Sequence, residues 1–107
     1  MSLRTPEPVR SAPLPSVDRA NLLLESRRYQ EALAEARGVL GRTPGDVEAR
    51  TIAEEAEAAL AIEDAILEAR EALKSGDKTK AQEVLRRGLA INANEARLLA
   101  LWREATE

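Results

Sequence analysis

Neither cysteine nor histidine occurs anywhere in the 107 residues, and phenylalanine is missing as well. The first two absences remove thiol nucleophiles, disulfides, imidazole general bases and every Cys/His zinc site. Carboxylate, hydroxyl and lysine chemistry is all that remains, so no metal and no cofactor is expected. Aromatics shrink to one Tyr and one Trp. Positive charge is not in excess either: 16 Lys and Arg against 19 Asp and Glu give a net charge of −3. Such a chain carries no field for neutralising phosphates, and nucleic acid is not an expected partner. The basic pairs Arg27-Arg28 and Arg86-Arg87 are flanked by Glu25, Glu31 and Glu83 and read as solvated helix surface. No apolar run approaches the ~20 residues of a membrane span, and the first residues lack the apolar stretch of a secretory signal. The expectation is a cytoplasmic chain with no membrane insertion.

What is present is 44% apolar and 33% charged residues, a balance that fits one compact domain, or a domain plus a tail. Four of the five prolines, Pro6, Pro8, Pro13 and Pro15, fall among the first fifteen residues. They exclude a helix or ladder there, so residues 1–15 are expected to form a tail or linker and 16–107 the domain. Leu14 is placed to tuck against the first helix. Ser16 suits an N-cap for a helix to about Ser26, with Val17, Ala20, Leu23 and Leu24 on one face. After a break at Arg27-Arg28-Tyr29, the series Ala32, Leu33, Ala36, Val39 and Leu40 predicts a second helix ending at Gly41. Thr43-Pro44-Gly45-Asp46 is a strong turn signal.

Between Val47 and Ser75 there is no Gly or Pro, and Ala49, Ile52, Ala53, Ala56, Leu60, Ile66, Ala69 and Leu73 recur at helical spacing. One long helix is predicted, with a break near residues 61–64, where Glu63-Asp64 interrupts the stripe, as the competing reading. Ser75-Gly76-Asp77 stops it. A fourth helix is expected from Lys78 to Leu89, and a fifth from Glu95 onward, capped by Asn94 and carrying Leu98, Leu101 and Trp102. Nothing alternates with period two, and no strand is expected. The fold class is therefore all-α. Trp102 reads as core or end-cap, and Tyr29 as the residue closing the first turn. The carboxylates Glu54-Glu55-Glu57 and Glu63-Asp64 point in different directions on a helix and meet no nucleophile or glycine-rich loop, so the chain does not read as an enzyme.

Laid on itself with the offset that brings Ala20 onto Ala69, the chain also matches Leu24 to Leu73, Ser26 to Ser75, Ala32 to Ala81 and Leu40 to Leu89. Helix, turn and helix recur twice. The segment LLESRRYQEALAEARGVLGRTPGD, with Tyr29, Ala32, Ala36, Val39 and Pro44, resembles the tetratricopeptide repeat. LKSGDKTKAQEVLRRGLAINANEA resembles a second copy, keeping Gly76-Asp77, Ala81 and Leu85 but holding Ala93 where the first has Pro44. The family repeats every ~34 residues, so the offset seen here leaves about 15 extra, about four helical turns, inside the long helix. Either two helices are fused there or a turn has been lost.

The resemblance implies antiparallel helical hairpins stacked as a short α-solenoid, acting as a scaffold that holds another protein or a peptide on its concave face. It places Val17, Asn21, Leu24 and Glu25 on that face, followed by Glu63, Ile66, Arg70 and Lys74, then Arg97, Ala100 and Glu104. Arg70, Lys74 and Arg97 would pair with a carboxylate-bearing segment, and Asn21 would hydrogen-bond its backbone. The family's carboxylate clamp for chaperone tails needs a lysine one turn before the asparagine. Val17 stands there instead, so the resemblance does not extend to chaperone-tail recognition. A structural homodimer formed through the long helix is the second reading.

Overall fold

The computed structural model describes residues 14–107, and every element in it is helical. Of the expected tail, residues 1–13 lie outside the described residues. The helices are α1 (Val17–Glu25), α2 (Tyr29–Arg42), α3 (Val47–Lys74), α4 (Lys78–Ile91) and α5 (Ala96–Thr106). Ser16 caps α1 by accepting from the Arg19 amide at 3.1 Å, and Asp46 caps α3 through the Ala49 amide at 2.9 Å. Several boundaries differ from the sequence expectation, among them the end of α4, which passes Leu89 and reaches Ile91. The second helix begins at Tyr29 and passes Gly41 to end at Arg42, because a lone glycine weakens a helix without terminating it. The cap of α5 is Glu95, not Asn94: Asn92 Oδ1 accepts from the Asn94 amide and turns the chain one residue further before the helix starts.

The offset seen in the sequence governs the backbone. Helices end at 25 and 74, run 29–42 and 78–91, and begin at 47 and 96. The turns correspond bond for bond. Arg28 N donates to Leu23 O as Asp77 N does to Ala72 O, and Arg27 N to Leu24 O as Gly76 N does to Leu73 O. Both are Schellman closures, which need a left-handed residue after the helix. Gly76 supplies it with φ 80°, and Arg27 adopts it with φ 63°.

The repeating object is thus three helices, not two: α1, α2 and the N-terminal half of α3, then the C-terminal half of α3, α4 and α5. Each unit has its own core. Ala20, Ala32, Leu33, Ala36, Ile52, Ala53 and Ala56 form the first, and a set including Ile62, Ile66, Ala69, Val84, Leu85, Leu98 and Leu101 the second. No Cα of α1 or α2 comes within 8 Å of α4 or α5. The first pair, α1 and α2, thus reaches the second unit only by way of α3.

The interruption at Glu63-Asp64 now has a physical meaning. The helix continues unbroken from Val47 to Lys74, as the sequence predicts, and the competing break at residues 61–64 does not occur. Its buried residues step from Ala56 through half-buried Leu60 to Ile62, and that last step of two turns the buried face by about 200° where steps of three or four would preserve it. The stripe is two stripes on roughly opposite sides of one rod. Most small residues of α3, including Ala49, Ala53, Ala56, Ala65, Ala69 and Ala72, are spent within these two cores.

The cores solve one packing problem in opposite ways. A β-carbon on Gly88 would lie 2.9 Å from Leu98 Cδ1 and 3.1 Å from Ala65 Cβ, so glycine here admits the fully buried leucine. In the first unit the corresponding positions hold Val39 and Ala49, the larger residue on the second helix and the smaller on the third. Trp102 packs partly buried against the second core, with the Arg86 guanidinium 5.6 Å from its ring centroid. Leu14 is 70% exposed and does not tuck against α1. Pro15 docks instead, its ring so close to Gly38 that a β-carbon there would meet Pro15 Cγ at 2.6 Å. Arg42 donates to the Pro15 carbonyl, and Glu35 accepts from both the Ser16 amide and Arg19.

Candidate partner-binding grooves

The repeat creates two equivalent grooves, each between the first and third helices of a unit. In the C-terminal unit the groove encloses about 580 Å³ between the end of α3 and α5, lined by Leu67, Arg70, Glu71, Leu73, Lys74, Leu101 and Glu104. Leu67 is 61% exposed, although its neighbours Ile66 and Ala69 are buried. Arg70 and Lys74 stand one helical turn apart on the same wall. Neither has an ion-pair partner among the described residues.

The N-terminal groove encloses about 290 Å³ between α1 and the start of α3. Ile52 and Glu55 line it where the other has Leu101 and Glu104, and Asp18 and Asn21 replace Leu67 and Arg70. Val17, Val47, Glu48 and Thr51 complete its walls. The two grooves lie about 30 Å apart along α3 and about a quarter turn apart around it. They are two separate surfaces, and the single concave face implied by the repeat resemblance is not present as one channel.

The five expected contact residues therefore fall in three places. Arg70 and Lys74 share the C-terminal groove. Asn21 lines the N-terminal groove and directs its amide to Glu25 Oε2 at 3.4 Å, one turn on and exposed. Arg97 sits at the waist of the molecule, in a cavity of about 330 Å³ that reaches Tyr29, Ala58, Ala59, Glu63, Ile91 and Glu95. Its guanidinium is 2.9 Å from Glu63 and 3.1 Å from Glu95. Hydrogen bonds to Glu95 and then Glu63 raise the Arg97 pKa, and the same side-chain bond from Arg97 holds the Glu95 carboxyl below the usual glutamate range. Arg97 thus ties the start of α5 to the middle of α3. Leu24 is half-buried and Ile66 is buried, both belonging to cores and not to a free face.

Sequence reasoning missed Leu67, Val47 and the waist cavity. Leu67 and Val47 were legible only as apolar residues off the stripe, and the cavity depends on α3 passing between the units. Among the described residues no three His, Cys, Asp or Glu side chains cluster as a metal site, and no helix is long and apolar enough to cross a membrane. Comparison with protein-family models, curated proteins and solved structures finds no match to this chain.

Proposed function

We propose that the chain is a non-catalytic protein-interaction module of tetratricopeptide type that receives an acidic amphipathic segment of a partner in the C-terminal groove. The observation that carries this reading is the placement of exposed Leu67 beside Leu73 and Leu101, under a wall bearing Arg70 and Lys74 without carboxylate partners among the described residues. An apolar floor takes the nonpolar side of a helix or extended segment, and the two cations select carboxylates on its other side. The family reading is supported by α1–α2 and the C-terminal half of α3 with α4, two antiparallel pairs joined by the same turn. It departs from the family's regular spacing through the shared α3.

The alternative of a homodimer through the long helix is less well supported, since the chain's own helices cover most of the small-residue faces of α3. Binding of a labelled amphipathic peptide of Leu and Glu, followed by fluorescence anisotropy, tests the proposal. Arg70→Glu with Lys74→Glu should weaken that peptide by about tenfold or more, the loss of two charge-assisted contacts. Unchanged binding would remove the groove from consideration. Arg97 is unsuited to this test, since its replacement breaks the waist ion pairs.

A further inference from the structure

The two grooves have the same construction and different electrostatic character: the C-terminal one is balanced and the N-terminal one acidic. Each has an apolar floor: Leu67, Leu73 and Leu101 in the C-terminal groove, Val17, Val47 and Ile52 in the N-terminal one. Val47 is 75% exposed, so this floor is open and not an internal void. At the wall positions the cations disappear. Arg70 corresponds to Asn21, Lys74 to Glu25 and Leu67 to Asp18. With Glu48 and Glu55 across the groove, the N-terminal walls carry three carboxylates and no base, whereas the C-terminal walls balance two cations against Glu71 and Glu104. Among the described residues no ion pair engages Asp18, Glu48 or Glu55. The nearby Arg19 and Arg50 are turned elsewhere, to Glu35 and to the Pro44 carbonyl.

From this we infer that the N-terminal groove is a second docking surface, fitted to a protein segment with apolar side chains on one side and Lys or Arg on the other. The apolar floor supplies contact area and the carboxylate walls choose the sign of the ligand. A segment of acidic character is rejected there by like charge, a selection that the balanced walls of the C-terminal groove do not make against lysine. The module consequently holds two segments of different chemistry, a quarter turn apart on one rod. The inference stands apart from the reading of the C-terminal groove, because either groove can fail alone.

The test uses the full chain and two labelled peptides, one built of Leu and Lys at helical spacing and one of Leu and Glu. The Leu/Lys peptide should bind the unaltered chain. Combined Asp18→Lys, Glu48→Lys and Glu55→Lys should weaken it by about tenfold or more. Val47→Ser, at a solvent-facing position that does not threaten folding, should weaken it by about threefold through lost apolar contact. Arg70→Glu with Lys74→Glu should leave it within about twofold. Glu54→Lys with Glu68→Lys and Glu83→Lys reverses the same number of charges outside this groove, and circular dichroism verifies that each variant retains its helices. No binding of the Leu/Lys peptide, or an equal loss in the outside triple variant, would overturn the inference by reducing the effect to net charge. A chain dimer in sedimentation that the groove triple variant abolishes would assign the surface to a second copy and overturn it too.

Discussion

Arg27 and Gly76 occupy the same point of the same turn, and only one of them suits it. A left-handed residue with a β-carbon costs about 1 kcal/mol relative to glycine, and Arg27 adopts φ 63° there because the flanking Schellman bonds require it. Arg27 makes no ion pair among the described residues that would offset this cost. Arg27→Gly is therefore expected to stabilise the chain by about 1 kcal/mol, and Gly76→Ala to destabilise it by a similar amount. Urea denaturation at neutral pH measures both. A destabilising Arg27→Gly would mean that its side chain supports the turn in some other way.

At the scale of elements, the helices interlock through complementary sizes. Gly88 on α4 makes room for Leu98 on α5, and the first unit reverses the assignment with Val39 and Ala49. Gly88→Val should overpack this contact and cost about 2 kcal/mol. Leu98→Ala should open a cavity and cost about 3 kcal/mol. Together they recreate the pairing of the first unit, so the double variant should be at least 1 kcal/mol better than the two losses added, about the coupling typical of residues in contact. Thermal and chemical denaturation of the four proteins of this cycle gives the coupling directly, and additivity would refute the size exchange. The long helix obeys a related rule. Its composition favours helix throughout, so the reversal of its buried face is absorbed by what packs on it and not by a break in its backbone.

For the molecule as a whole, the consequence is two cores joined by one rod. The units meet through α3 and around the waist cavity, while α1 and α2 stay more than 8 Å from α4 and α5 in Cα distance. Leu85 is fully buried in the second core, and Leu85→Ala should lower the opening free energy of that core by about 3 kcal/mol. Native-state hydrogen exchange should then speed by about a hundredfold in α4 and α5, with much smaller changes in α2. Equal acceleration in α2 would show that the units open as one.

Much of this was legible beforehand. Five helices, the stop at Ser75-Gly76-Asp77 and the offset joining Ala20 to Ala69 follow from capping residues, glycines and helical spacing, all properties of short stretches of chain. The uninterrupted α3 was also the leading expectation. What local pattern does not contain is which neighbour covers each face. The step from Leu60 to Ile62 looks like a fault in a stripe until α1 and α2 lie on one side of the rod and α4 and α5 on the other. Arg70, Lys74 and Arg97 look alike as cations on helices, yet Glu63 and Glu95 converge on Arg97 while the other two face an open groove. The number and order of the helices, and the turns between them, are written in the local pattern, because capping residues and glycines act over a few residues. That there are two grooves and not one came from packing, because their positions depend on the direction in which a continuous helix presents residues separated by several turns.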